Sequence, residues 1–178
     1  FAQTNLGLMH ERGKGVPASD KEAVKWWRLA AEQGISRAQY NLGVMYRNGR
    51  DVPQNNKTAM KWYRLAAKHG NAFAQYNLGV MYDKGIRVRQ NYNTAVKWYR
   101  RAANQGHAGA QNNLGTMYTV GQGVIKDYVR AHMWFDIASS LGDKDDALKN
   151  RDEIVRYMTS SQIIEARNRA SVCVRKNY

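Results

Sequence analysis

The sequence predicts an all-α fold, a solenoid of stacked helical hairpins that ends in capping helices. A first phrase recurs four times at a spacing of 36 residues, reading AQTNLGLMH from Ala2, AQYNLGVMY from Ala38 and Ala74, and AQNNLGTMY from Ala110. A second phrase follows each copy, as in AMKWYRLAAKHG from Ala59, and no insertion or deletion disturbs the register. A fixed period of this length is typical of repeat proteins, in which each unit buries its apolar side against its neighbours.

The period divides the chain into a repeat region, residues 1–145, and a tail. The four repeats are residues 2–37, 38–73, 74–109 and 110–145. Residues 146–178 are predicted to be capping helices of the same continuous solenoid, because the last unit of a stack must present a polar outer side.

The first phrase of each repeat predicts an amphipathic helix, residues 38–48 in the second repeat. Its core side is predicted to hold Ala38, Leu42, Met45, Tyr46 and Gly49. Gly43 lies inside this helix, where a glycine costs about 1 kcal/mol relative to alanine. Because a glycine returns at this place in all four repeats, we expect another helix to pack there too closely for a side chain.

The second phrase predicts the second helix of each repeat, at residues 20–32, 56–68, 92–104 and 128–140. A favoured N-cap residue precedes each of them: Ser19, Asn55, Asn91 and Asp127. A valine in the preceding loop is predicted to pin that loop to the core. We expect the core side of these helices to carry an alanine pair and one tryptophan per repeat: Trp26, Trp62, Trp98 and Trp134.

The tail predicts two further helices, at residues 145–157 and 160–174. Thr159 and Gln162 between them fit a capping box, in which each side chain bonds the other residue's backbone N–H.

Charge and composition limit the classes of partner. The chain has 28 Lys and Arg against 14 Asp and Glu, a net charge of +14, which favours an acidic protein, an anionic membrane face or nucleic acid. No apolar run approaches the roughly 20 residues of a membrane span, and the single Cys173 excludes an internal disulfide. Because the sequence opens FAQTN without an initiator Met, we expect residues upstream, either a signal peptide or further repeats.

No pattern of catalytic or metal-ligating residues emerges. The four histidines occupy four different repeat positions, and none has the spacing of a ligand pair. The glycines belong to the repeat pattern and form neither a nucleophile elbow nor a phosphate loop. We therefore predict a protein that is not an enzyme and has no cofactor or metal.

The pattern A-x-x-x-L-G-x-x-Y-x-x-G-x-x-V followed by A-x-x-W-Y-x-x-A-A-x-x-G resembles the Sel1-like repeat, a relative of the tetratricopeptide repeat. The resemblance covers about residues 2–145, with His10, Phe135 and Ser139 as departures. It implies a right-handed α/α superhelix and an adaptor or scaffold role. A periplasmic immunity-type inhibitor of a toxin or phospholipase effector is the alternative that it implies. The compartment stays open between bacterial periplasm or secretion and the cytoplasm.

In such stacks the first helix lines the concave side, which predicts the partner-binding residues. The predicted groove residues are Tyr40, Asn41, Val44, Arg47, Tyr76, Asn77, Val80, Asp83, Asn112 and Asn113. Apolar and aromatic groups on a face that should be polar favour an interaction site. The alternatives are that packing between repeats covers them, and that the asparagines make structural hydrogen bonds.

The second helices predict a basic ridge on the convex side: Lys25, Arg28, Lys61, Arg64, Lys97 and Arg100. It is interpreted either as an ordinary solvated face or as a surface for an acidic protein or anionic headgroups. Nucleic acid is the less favoured partner, because the basic groups and the aromatic groups lie on opposite sides. We expect a monomer that binds an acidic protein or peptide, with peripheral membrane attachment left open and integral insertion excluded.

Overall fold

The computed structural model describes residues 2–142 and 144–177. These residues form ten α-helices and no strand, which confirms the predicted all-α solenoid class. The helices are α1 (Ala2–Arg12), α2 (Asp20–Glu32), α3 (Ser36–Asn48), α4 (Asn56–Lys68), α5 (Ala72–Lys84), α6 (Tyr92–Ala103), α7 (Ala108–Val120), α8 (Tyr128–Leu141), α9 (Lys144–Val155) and α10 (Ser160–Asn177).

The chain divides into two compact units, unit 1 (Phe1–Leu78) and unit 2 (Gly79–Tyr178). In unit 1, α1 packs against α2, α2 against α3, and α3 against α4. In unit 2, α6 packs against α7, α7 against α8, and α8 against both α9 and α10. From α1 to α4 and from α6 to α9, helices that follow one another in the chain are thus neighbours, and α9 and α10 both pack on α8.

The helix ends follow the sequence signals. The side chains of Ser19, Asn55, Asn91 and Asp127 each accept a hydrogen bond from the backbone N–H three residues on. Thr159 and Gln162 make both bonds of the predicted capping box, at 3.3 and 2.9 Å. The four predicted second helices are confirmed to within one residue at each end, because each terminus has its own local signal.

Close packing explains the glycine inside each first helix. A Cβ built on Gly43 would lie 2.6 Å from the ring of Tyr63, and one on Gly79 would collide with Tyr99. Gly7 faces Trp27 and Gly115 faces Phe135 in the same way. The predicted close approach of a second helix is confirmed, and its partner is an aromatic ring in every repeat.

The prediction of which aromatic is buried was wrong in three repeats. Trp26, Trp62 and Trp98 are only half-buried, although Trp134 is buried as expected. The residue after the tryptophan carries the buried ring instead, as Trp27, Tyr63, Tyr99 and Phe135 are each at most 1 % exposed. The reason is that the glycine of the first helix leaves space for a ring at that position of the second helix.

A buried glutamine joins successive repeats, and the sequence analysis missed it. Gln39 donates from Nε2 to the Ala31 carbonyl at 3.0 Å, and Gln111 bonds the Ala103 carbonyl in the same way. Gln75 repeats the bond to the carbonyl eight residues before it. These carbonyls lie in the last turn of the second helices, so each amide ties the end of one repeat to the start of the next.

Candidate functional site

The predicted site residues of unit 1 form a partly apolar surface on α3 and the start of α5. We call Tyr40, Asn41, Val44, Arg47 and Phe73 the unit 1 face. The Tyr40 ring lies 5.7 Å from the Phe73 ring, and Phe73 is 57 % exposed. Tyr40, Asn41 and Val44 are half-buried, and Arg47 is exposed. Phe73 was not among the predicted site residues, although it is an aromatic residue at the repeat position where Arg37 stands in the previous repeat.

A buried tyrosine lies beneath this face. Tyr63 is 1 % exposed, and its ring centroid is 5.9 Å from that of Tyr40. Its hydroxyl has no hydrogen-bond partner in the described part of the chain. Burial raises the pKa of Tyr63 to about 12, although the nearby charge of Arg47 acts to lower that pKa. An unpaired buried donor costs about 1–3 kcal/mol, so the face carries a polar group that unit 1 does not satisfy.

The two remaining predicted residues of unit 1 are one tyrosine and one amide. Tyr76 and Asn77 are half-buried on α5. The Asn41 side-chain nitrogen is buried and lacks a partner within residues 2–142 and 144–177. Asn41 therefore presents a second unsatisfied donor, next to Tyr40 in the sequence.

In unit 2 the equivalent position carries an acid. Asp83, 36 residues after Arg47, accepts a hydrogen bond from the Tyr99 hydroxyl at 3.3 Å and lies 3.6 Å from the Lys84 ammonium. Val80 before it is half-buried. Here the buried tyrosine is satisfied by the chain itself.

The predicted asparagines of unit 2 lie next to the tail. Asn112 accepts a hydrogen bond from the Asn150 side chain on α9 at 3.0 Å, and Asn113 is half-buried. The hydroxyls of Thr116 and Thr119 donate to carbonyls of their own helix. Asn112, Thr116 and Thr119 thus use polar atoms in hydrogen bonds within unit 2.

The six predicted ridge residues are all exposed. Arg28 donates to the Tyr46 hydroxyl at 3.3 Å, and Arg100 donates to that of Tyr118 at 3.1 Å. A surface cavity of about 500 Å³ in unit 1 is lined by Lys57, Thr58, Met60, Lys61, Arg64, Leu65 and Lys68. The ridge therefore combines positive charge with apolar surface.

A charged cluster lies at the end of the repeats in unit 2. Asp136 is 3.1 Å from His132 Nδ1 and 3.1 Å from Arg151. Burial acts to raise the pKa of Asp136, but the hydrogen bonds and charges of His132 and Arg151 outweigh burial and lower it. His132 is fully buried, and the ion pair between Asp136 and Arg151 ties α8 to α9.

The described ranges contain no group of three or more His, Cys, Asp or Glu side chains placed to hold a metal ion. Among the helices described, none has the length and apolar character required to cross a bilayer.

Comparison with known proteins decides the family. A model of the Sel1 repeat matches residues 1–35, 36–71, 72–107 and 108–143. The chain belongs to the Sel1 repeat family. The four matches have the predicted period of 36 residues and begin two residues or fewer before the predicted repeats. Sel1 repeats generally serve as non-catalytic modules of protein–protein interaction.

Solved Sel1 structures are similar to this chain. A Sel1 repeat protein from Oxalobacter formigenes shares 31% identity over 95% of this chain and 71% of its own, with a TM-score of 0.80. The protective antigen c5321 of uropathogenic Escherichia coli shares 31% over 99% of this chain, with a TM-score of 0.67, and this chain spans 45% of its length. The immunity protein Pa5087 of Pseudomonas aeruginosa, at 19% identity over 97% of this chain and 67% of its own, has a TM-score of 0.57 and is similar in fold alone.

Proposed function

We propose that this Sel1 repeat chain is a non-catalytic adaptor that binds a partner protein or peptide through the unit 1 face, with Tyr76 and Asn77 beside it. The supporting observation is the exposed Phe73 ring, which packs at a tilt of 39° against Tyr40 where a solvated helix face would be polar. Rigid aromatic groups supply large contact area at small entropic cost, so they carry much of the energy of interfaces.

The test compares partner capture by wild type and by Phe73→Ala/Tyr76→Ala. Ile164→Ala on α10 is the matched control, because it removes an equally exposed apolar side chain, 59 % exposed, from unit 2. We expect the double variant to lose the proteins that wild type and the control retain, while it remains folded at the assay temperature. Equal recovery by all three forms would contradict the proposal.

An adaptor and an immunity-type inhibitor differ in how tightly they hold a single partner. For the adaptor we expect exchangeable complexes with modest affinity. A single complex that survives high salt and long washing would favour the inhibitor, because apolar contact persists when charge is screened.

The basic cavity on α4 favours a second candidate, attachment to an anionic surface. Four cations surround Met60 and Leu65 there, with no acid among the lining residues. Flotation with phosphatidylcholine vesicles that contain phosphatidylglycerol, against phosphatidylcholine alone, tests it. Attachment predicts binding to the anionic vesicles only, lost in Lys61→Gln/Arg64→Gln and at high salt, and an anionic oligonucleotide serves as the comparison for nucleic acid.

A further inference from the structure

The unit 1 face has two hydrogen-bond donors without an acidic acceptor among the described residues, the buried Tyr63 hydroxyl and the exposed Arg47 guanidinium, whose charge acts on Tyr63. The Tyr63 hydroxyl is buried and unpaired among the described residues. Arg47 lies one turn after Gly43, the residue that the Tyr63 ring covers. The Arg47 guanidinium bonds only the Asn48 side chain, through Nε at 3.2 Å, and has no ion pair within the described part of unit 1. A phenol and a guanidinium both donate hydrogen bonds, so the group that completes them is an acceptor with negative charge.

Unit 2 identifies this acceptor. The positions equivalent to Arg47 and Tyr63 are Asp83 and Tyr99, and the Tyr99 hydroxyl donates to the Asp83 carboxylate at 3.3 Å. The ring beneath the glycine is the same in both places, since Gly43 faces Tyr63 and Gly79 faces Tyr99. At this repeat position in unit 2, a carboxylate thus accepts the hydrogen bond that the buried tyrosine donates.

We propose that the unit 1 face binds an acidic side chain of its partner, an Asp or Glu carboxylate held by the Arg47 guanidinium and the Tyr63 hydroxyl. This inference rests on the proposed function and adds the chemistry that the face selects. The Tyr40 and Phe73 rings receive an apolar residue next to that acid in the partner. In unit 2 the position is already filled by Asp83, so the acid-binding site belongs to unit 1.

The balance of charge supports an acidic ligand. The chain carries a net charge of +14, which speeds encounter with an acidic segment. Charge-assisted hydrogen bonds are roughly twice as strong as neutral ones. An amide in the partner can accept from Tyr63 but lacks the attraction to Arg47, so the site discriminates Asp and Glu from Asn and Gln.

Selection of random peptides displayed on phage, with the full chain as bait, provides the probe. Selected peptides are synthesised with each acid in turn replaced by its amide, and their affinities are measured by calorimetry. We expect enrichment of acidic residues beside an apolar one. We also expect replacement of one acid by its amide to weaken binding about tenfold or more.

Variants of the chain test which of its residues contact the acidic side chain of the peptide. Arg47→Gln should weaken the acidic peptide about tenfold and leave the amide peptide nearly unchanged, the signature of a direct pair in a double-mutant cycle. Tyr63→Phe should weaken the acidic peptide about tenfold and the amide peptide less, because the amide oxygen accepts a weaker, neutral hydrogen bond from the same hydroxyl. Tyr63→Phe keeps the ring over Gly43, so the fold is retained. Lys14→Gln is the control, because it removes one positive charge from an exposed position of unit 1 outside both the unit 1 face and the basic ridge, and it should change affinity less than about twofold.

Peptides that depend on Phe73 but ignore Arg47, Tyr63 and the amide replacement would overturn this inference and leave the proposed function standing. Peptides that bind Phe73→Ala as well as wild type, or a selection that yields no binder dependent on Phe73, would overturn both.

Discussion

Arg47 in unit 1 and Asp83 in unit 2 occupy the same position of successive repeats and carry opposite charges. The tyrosine below each of them covers the same glycine, yet the Tyr99 hydroxyl is paired with Asp83 and the Tyr63 hydroxyl is unpaired among the described residues. The side chain at this one repeat position therefore determines whether the buried hydroxyl has a hydrogen-bond acceptor within the described chain. Sites that bind partners often keep such unsatisfied groups at a cost in stability.

The largest effect on stability should come from the contact between a helix glycine and an aromatic ring, which units 1 and 2 share. Gly43→Val and Gly79→Val each force a branched side chain into an aromatic ring, and we expect both to lower the free energy of unfolding by about 3 kcal/mol. Urea unfolding measures it, with the exposed Lys61→Val as a control for helix propensity, worth up to about 0.7 kcal/mol. Losses no larger than that of the control would show that the contact is not tight.

Exchanging the charges of Arg47 and Asp83 should reverse which of the two buried tyrosine hydroxyls has an acceptor. Asp83→Arg leaves the Tyr99 hydroxyl without its acceptor and should cost about 2 kcal/mol. Arg47→Asp supplies an acceptor to Tyr63 and should gain about 1 kcal/mol, while abolishing binding of acidic peptides. Both are read from urea unfolding, and a loss of stability in Arg47→Asp would contradict the equivalence of the two positions.

Removing the hydroxyls should change stability in opposite directions. Tyr99→Phe should cost about 1 kcal/mol, whereas Tyr63→Phe should gain about 1 kcal/mol because it removes an unpaired buried donor. The pKa of Tyr63 is raised from 10.0 to about 12, so the folded state holds that proton more tightly and wild type loses stability as the pH rises through this range. The advantage of Tyr63→Phe should therefore grow between pH 10 and pH 12 in thermal melts, and a constant difference would contradict it.

The smallest effect concerns the hydrogen bonds by which Gln39, Gln75 and Gln111 join successive repeats, which we call the glutamine joint. Here the unpaired group lies in unit 2. In unit 1 the Gln39 Oε1 lies 3.0 Å from His69 Nδ1, but in unit 2 the Gln111 Oε1 is buried without a partner among the described residues. Leu141 occupies the position equivalent to His69, so Leu141→Gln should gain about 0.5–1 kcal/mol by donating to Gln111. Leu141→Met is the control for side-chain length, and equal melting temperatures for the two would exclude the bond.

Local signals allowed much of the fold to be predicted from the sequence. The N-caps at Ser19 and Asn55 and the left-handed Gly49, at φ 67°, set helix ends through bonds within a few residues. The buried ring was mispredicted, because Trp62 and Tyr63 are adjacent and only the packing of Gly43 selects between them.

The candidate site was accessible to sequence reasoning only in part. Repeat register identified Tyr40 and Arg47 as members of one helix face. The role of Tyr63 depends on a contact between two helices, which no spacing within either helix encodes. The same is true of Asn112, whose partner Asn150 lies in the tail beyond the repeats.

The glutamine joint has a consequence for how the chain reaches its fold. Each Gln39-type amide bonds a carbonyl only eight residues earlier, so the connection between consecutive repeats is made by a very short stretch of chain. Closing so small a loop costs little entropy, and chains rich in contacts of low sequence separation fold fast. A helical hairpin that emerges from the ribosome can therefore pack against the preceding repeat before the following repeat has been synthesised.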